Sequence, residues 1–185
     1  MDISASLLVA IMFVVLLSIG IGNILMSLAA MVDRRSPVTA SRMHISWIVL
    51  LLLVYFSLFW HTLDVLLFEE WKFGEFLYVM LGPVLILFAS QVLLPDPSRT
   101  DAGDLNENYL QASRPFFLFL AASQLWVNGV DLILKDGLIP SGAVNGVAAI
   151  FALTLAFTRS RPVHLIVTTA MWSLFLVAWT LRSLG

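Results

Sequence analysis

Six stretches of the chain stay apolar over the length of a bilayer crossing, at roughly 5–31, 44–68, 75–95, 115–135, 140–158 and 163–183. A helix rises 1.5 Å per residue, so about 20 such residues span the hydrocarbon core. Between the stretches lie charged and turn-forming groups: Asp33-Arg34-Arg35-Ser36-Pro37, Glu69-Glu70-Trp71-Lys72-Phe73-Gly74, Pro95-Asp96-Pro97-Ser98, Lys135-Asp136-Gly137 and Arg159-Ser160-Arg161-Pro162. The pattern predicts an all-α fold, a polytopic integral membrane protein built as a single bundle of six transmembrane helices over residues 1–185.

Two of the stretches carry a polar stripe. Ser57, His61, Asp64 and Phe68 in the second are matched, each 67 positions on, by Gln124, Asn128, Asp131 and Lys135 in the fourth. At about 100° per residue this spacing keeps each set on one narrow face of a helix. Gly74 and Gly142, and Pro95 and Pro162, fall in nearly the same register. Helices 2–3 and 4–5 thus read as a parallel two-helix repeat, since an offset of two spans preserves orientation.

Composition sharpens the membrane reading. The chain is 60% hydrophobic and 12% charged, with a mean hydropathy of +0.95, far above an ordinary globular domain. A net charge of −2 and the lack of any basic run argue against a nucleic-acid partner. Cysteine is absent, which excludes disulfides, thiolate metal sites and cysteine nucleophiles. The N-terminus lacks the positive n-region of a secretory signal, so its apolar run is read as the first membrane helix. Arg34, Arg35, Arg42, Arg99, Arg114, Arg159 and Arg161 fall in alternate connections, against Lys72, Lys135 and Arg182 on the opposite side. By the positive-inside rule both termini are expected on the non-cytoplasmic side of a cytoplasmic (inner) membrane.

The candidate chemistry lies on the stripes. His61 and Asp64 are three residues apart on one helix and within hydrogen-bonding reach, a pair that can pass protons or respond to pH. Asp131 and Lys135 are four apart in the favoured order for an ion pair. Should the stripes face each other, His61, Asp64, Asn128 and Asp131 form an outward-facing cup floored by Ser57 and Gln124, with Tyr78 and Asn145 completing it. Against this, the two aspartates lie only ~6 Å from the helix ends and can be read as interfacial. Gly82-Pro83, midway along the third span, reads as a kink or hinge. Ser18, Gly22, Asn23 and Ser27 read as a packing face.

Trp60, Trp71, Trp126 and Trp179 on one side, with Trp47 on the other, read as an aromatic belt. His44 and His164, which could meet as axial haem ligands, read better as interfacial histidines. Asp104 followed by Glu107 resembles a helix N-cap, predicting a short helix over 105–113 ahead of the fourth span. The acidic group Asp101, Asp104, Asn106 and Glu107 lacks the ligand spacing of a calcium loop.

No hydrolase, zinc-protease or phosphate-loop motif is present, and no metal or cofactor is implied. The expectation is a membrane channel or carrier for protons, cations or a small polar solute, with His61 and Asp64 as its pH-responsive pair. A non-catalytic accessory or scaffolding subunit of a membrane complex is the alternative, and an outer-leaflet membrane enzyme the third reading. The bilayer is the expected partner, together with further copies of the chain or other membrane subunits.

Overall fold

The computed structural model describes residues 4–32, 42–68, 70–94, 105–134 and 141–183. Every regular element among them is helical: α1 (Ala5–Val32), α2 (Arg42–Trp60), α3 (Thr62–Leu67), α4 (Phe73–Leu93), α5 (Leu105–Leu134), α6 (Ser141–Phe157) and α7 (Arg161–Ser183). Five segments are long and apolar enough to cross a membrane: Ala5–Met31, Arg42–Leu67, Phe73–Leu93, Ala112–Leu134 and Arg161–Thr180. The sixth expected span, α6, has 17 residues and is ~25 Å long, the lower edge of what a bilayer crossing needs.

Two boundaries depart from the sequence pattern. The second apolar stretch is not one rod: α2 stops at Trp60, His61 forms a turn, and α3 resumes at Thr62. His61 has φ −67° and ψ −9°, well away from the helical ψ near −42°. Its carbonyl accepts from the Asp64 N–H at 3.0 Å, a three-residue step that tightens the chain at this point. Conversely, the short helix expected over 105–113 is continuous with the fourth span, and α5 runs 30 residues through Pro115. Asp101, Asp104 and Lys135 lie outside the described residues, as do the side chains of Asn106 and Glu107.

Packing follows side-chain size. α5 lies along both α4 and α6, α1 rests on α4 and α3, and α7 leans on α6 and α2. α6 brings Ala148, Ala152 and Ala156, all buried at four-residue spacing, and small residues at that spacing let helix backbones approach closely. α2 instead projects Trp47, Leu51 and Tyr55 into the core, and its backbone stands off from α4 and α5. The α2–α4 and α5–α6 pairs are therefore packed differently, whatever the sequence register between them.

Glycines set the tightest crossings. A methyl group at Gly82 of α4 would overlap the Trp126 ring, and one at Gly129 of α5 would overlap Tyr78. The two aromatics also exchange hydrogen bonds: Trp126 Nε1 donates to the Tyr78 carbonyl at 2.6 Å, and Tyr78 OH donates to the Trp126 carbonyl at 3.4 Å. Gly20 of α1 similarly seats Tyr55 of α2, whose hydroxyl donates to Ser90 Oγ of α4 at 3.2 Å, while Ser90 in turn donates to the Leu87 carbonyl. Gly82 and Pro83 are both buried within an α4 that continues past them. The missing Cβ at Gly82 is used for packing.

Candidate functional site

At one end of the bundle, where α2 finishes and α6 begins, the side chains of the stripes surround two adjoining cavities. The larger, about 110 Å³, is lined by α2, α5, α6 and α7 and takes its polar groups from Ser57, His61, Gln124 and Asn145. The smaller, about 20 Å³, is lined by His61, Asp64 and Asp131 among apolar neighbours that include Phe13 and Trp126. That is room for roughly one water molecule. His61 lines both.

The turn at His61 positions this pair. Nδ1–H of His61 donates to Asp64 Oδ2 at 2.9 Å, and both side chains keep about a third or less of their surface exposed. Asp131 is only 6% exposed. It is turned into the protein, three residues before the last residue of α5, where an ionisable group costs less than at the bilayer centre.

The other expected residues divide. Asn128 lies within α5, six residues before its last residue, Leu134. Its Nδ2 donates to the Gly142 carbonyl at 3.3 Å, and its Oδ1 accepts from Asn145 Nδ2 at 3.1 Å. Asn128 thus holds Asn145 in place and is not itself a lining residue of either cavity. Tyr78 belongs to the α4–α5 seam and lines neither. Lys135 lies outside the described residues. Trp126, expected in an aromatic belt, is buried, whereas Trp60 and Trp179 are largely exposed.

Several lining residues carried no sequence signal. Leu50, Phe116, Leu120, Met171 and Phe175 wall the larger cavity beside Trp47, and in an apolar span such residues look like any lipid-facing position. Trp47 meets Phe116 and Phe117 edge-on, with centroids 5.6 and 4.8 Å away. Its Nε1–H donates to Thr168 Oγ1 at 3.0 Å, and Trp172 Nε1 donates to Ser46 Oγ at 2.7 Å, so two indole–hydroxyl bonds tie α2 to α7.

The opposite end holds a second polar group. His44, Tyr109 and His164 are all buried, each within the first turns of its helix, α2, α5 or α7. Tyr109 OH donates to His164 Nδ1 at 3.0 Å, and His164 Nε2–H donates to the Thr158 carbonyl at 3.0 Å. Burial pushes the Tyr109 phenol well above the usual tyrosine range, keeping it a neutral donor. With both nitrogens engaged, His164 has no lone pair left for an axial haem bond. His44 makes no well-formed hydrogen bond at either nitrogen, and the Leu93 backbone is the polar group nearest its ring. Among the described residues no three His, Asp or Glu side chains are grouped closely enough to hold a metal ion.

Comparison with known protein families, with curated proteins and with solved structures returned no match.

Proposed function

We propose that this chain crosses a cytoplasmic membrane six times with both termini on the non-cytoplasmic side, and that it works as a carrier or channel whose solute site is the larger cavity. The observation that supports this is the place of His61, which lines the cavity containing Ser57, Gln124 and Asn145 as well as the one containing Asp64 and Asp131. A change in the protonation of the His61–Asp64 pair would alter the donors and acceptors offered to a bound solute, so proton binding and solute binding are coupled. A bare cation fits the larger cavity poorly. Hard cations take six or more oxygen ligands, and the wall offers mainly carbon, its polar side chains being Ser57, His61, Gln124 and Asn145 with the indoles of Trp47 and Trp179. A solute with an apolar body is the better cargo.

Proteoliposomes test the reading. Protein-containing vesicles should move protons or solute faster than empty ones, with rates that change between pH 5 and pH 8. His61→Gln should remove the pH dependence, and Asp64→Asn should slow the flux several-fold. If wild-type vesicles are no leakier than empty ones under a series of ion and solute gradients, the carrier reading falls and the accessory-subunit reading takes its place.

A further inference from the structure

The outer half of α7 is placed differently from its base. We propose that this half, from Ser173 outward, is a lid that bends toward α2 and closes over the larger cavity. The proposal rests on reading that cavity as the solute site.

The base is pinned. Between His164 and Trp172, three side-chain hydrogen bonds join α7 to its neighbours: Tyr109 of α5 donates to His164, Trp47 of α2 donates to Thr168, and Trp172 donates to Ser46 of α2. Farther out the cavity itself comes between the two helices. Leu174, Phe175 and Ala178 line it from α7, and Val54 and Ser57 from α2.

Burial follows the same division. At the pinned level Trp47, Phe116, Leu120 and Met171 are buried, which closes the cavity at that end. Val54, Ser57, Leu174, Phe175 and Ala178 are only half-buried, so its mouth lies at the outer end. α7 also commits the least of itself to the bundle. Only 17% of its spanning window is buried, the lowest share among the five long spans.

Between the base and the outer half lies a device for bending. Thr169 Oγ1 donates back to the Leu165 carbonyl at 3.0 Å, and Ser173 Oγ to the Thr169 carbonyl at 3.1 Å. A hydroxyl bonded four residues back competes with the backbone amide for that carbonyl and favours a bend. Carbonyls drawn outward lengthen the hydrogen bonds on their own face of the helix, which becomes the convex one. By the helical period Thr169 and Ser173 lie roughly 180° from Met171 and Ala178, which line the cavity. The bend is therefore directed at the cavity, and it carries Leu174, Phe175 and Ala178 toward Val54 and Ser57. A cavity covered in this way holds its solute apart from the outer side, as a carrier does and an open pore does not.

Disulfide trapping tests the lid. Ser57 and Ala178 are separated by the same 121 positions as the bonded pair Trp47 and Thr168. α2 and α7 both start at the end where Tyr109 meets His44 and His164, so the two residues stand at one level. The chain has no cysteine, so Ser57→Cys with Ala178→Cys introduces the only thiols. Mild oxidation in lipid nanodiscs should join them within one chain, a step that needs Cα atoms within about 7 Å. In proteoliposomes the same oxidation should lower flux several-fold and dithiothreitol should restore it, with no response from either single-cysteine protein. Thr169→Val and Ser173→Ala, at exposed positions, remove the back-bonds and should slow disulfide formation several-fold. Unchanged rates in these two variants would overturn the proposal by showing a mouth that is merely narrow. So would failure of the disulfide to form, or flux indifferent to it. Should the paired variant not fold, deuterium exchange on the wild-type protein decides. Amides from Thr169 to Leu174 should exchange several-fold faster than those from Leu165 to Thr168, and equal protection would overturn the lid. Trapping as expected in a protein that moves nothing across vesicles would sink the carrier reading alone; pH-dependent flux without trapping would sink the lid alone.

Discussion

At Gly82 a side chain that is missing decides how two helices meet. The Trp126 ring occupies the space a Cβ would need, and overpacking at such a site costs about 1–3 kcal/mol. Gly82→Ala should therefore lower the thermal midpoint of the detergent-solubilised protein, and the loss should shrink in a Trp126→Leu background because the two positions share one volume. Equal losses in both backgrounds would show that the glycine is not seating the ring. His44 and Tyr109 offer a contrast of sign. His44 is 3% exposed and its ring has no well-formed hydrogen bond, only the Leu93 backbone beside it, so His44→Leu should leave stability unchanged or raise it by about 1 kcal/mol. Tyr109→Phe strips His164 Nδ1 of its donor and should cost about 1–3 kcal/mol in the same unfolding measurement. A stability loss on His44→Leu as large as that of Tyr109→Phe would contradict the assignment.

Among the elements, five apolar helices of spanning length and the contact between His61 and Asp64 were legible in the sequence, but the break between α2 and α3 was not. Runs of apolar residues mark where a helix can sit in a bilayer, and a three-residue spacing places two side chains on one face. A helix break is usually announced by proline or glycine, and Phe59-Trp60-His61-Thr62 contains neither. The burial of Trp126 and Trp47 was hidden for a related reason. In a membrane the outside is as apolar as the inside, so hydrophobicity does not say which way a tryptophan faces. The opposite happened at 105–113, where the expected short helix is the start of an α5 that continues through Pro115. The break has a measurable signature. Amides of Thr62 to Leu67 should exchange with deuterium faster than those of Leu50 to Val54, because a six-residue helix is easily opened. Uniform protection across Arg42–Leu67 would mean that the span moves as one piece.

For the whole molecule, the absence of cysteine makes topology directly testable. Ser4 and Ser160 are exposed and sit at opposite ends of the bundle by the path of the chain. With the proposed orientation, a Ser4→Cys protein should react with a membrane-impermeant maleimide in intact cells, and Ser160→Cys only after permeabilisation. The reverse pattern would invert the topology. The same three glycines that fix how the bundle closes also limit how this sequence can drift. A larger residue at position 20, 82 or 129 has no room until Tyr55, Trp126 or Tyr78 has become smaller. Lineages descending from this chain should therefore keep or lose each glycine together with its aromatic partner, as three separate covarying pairs.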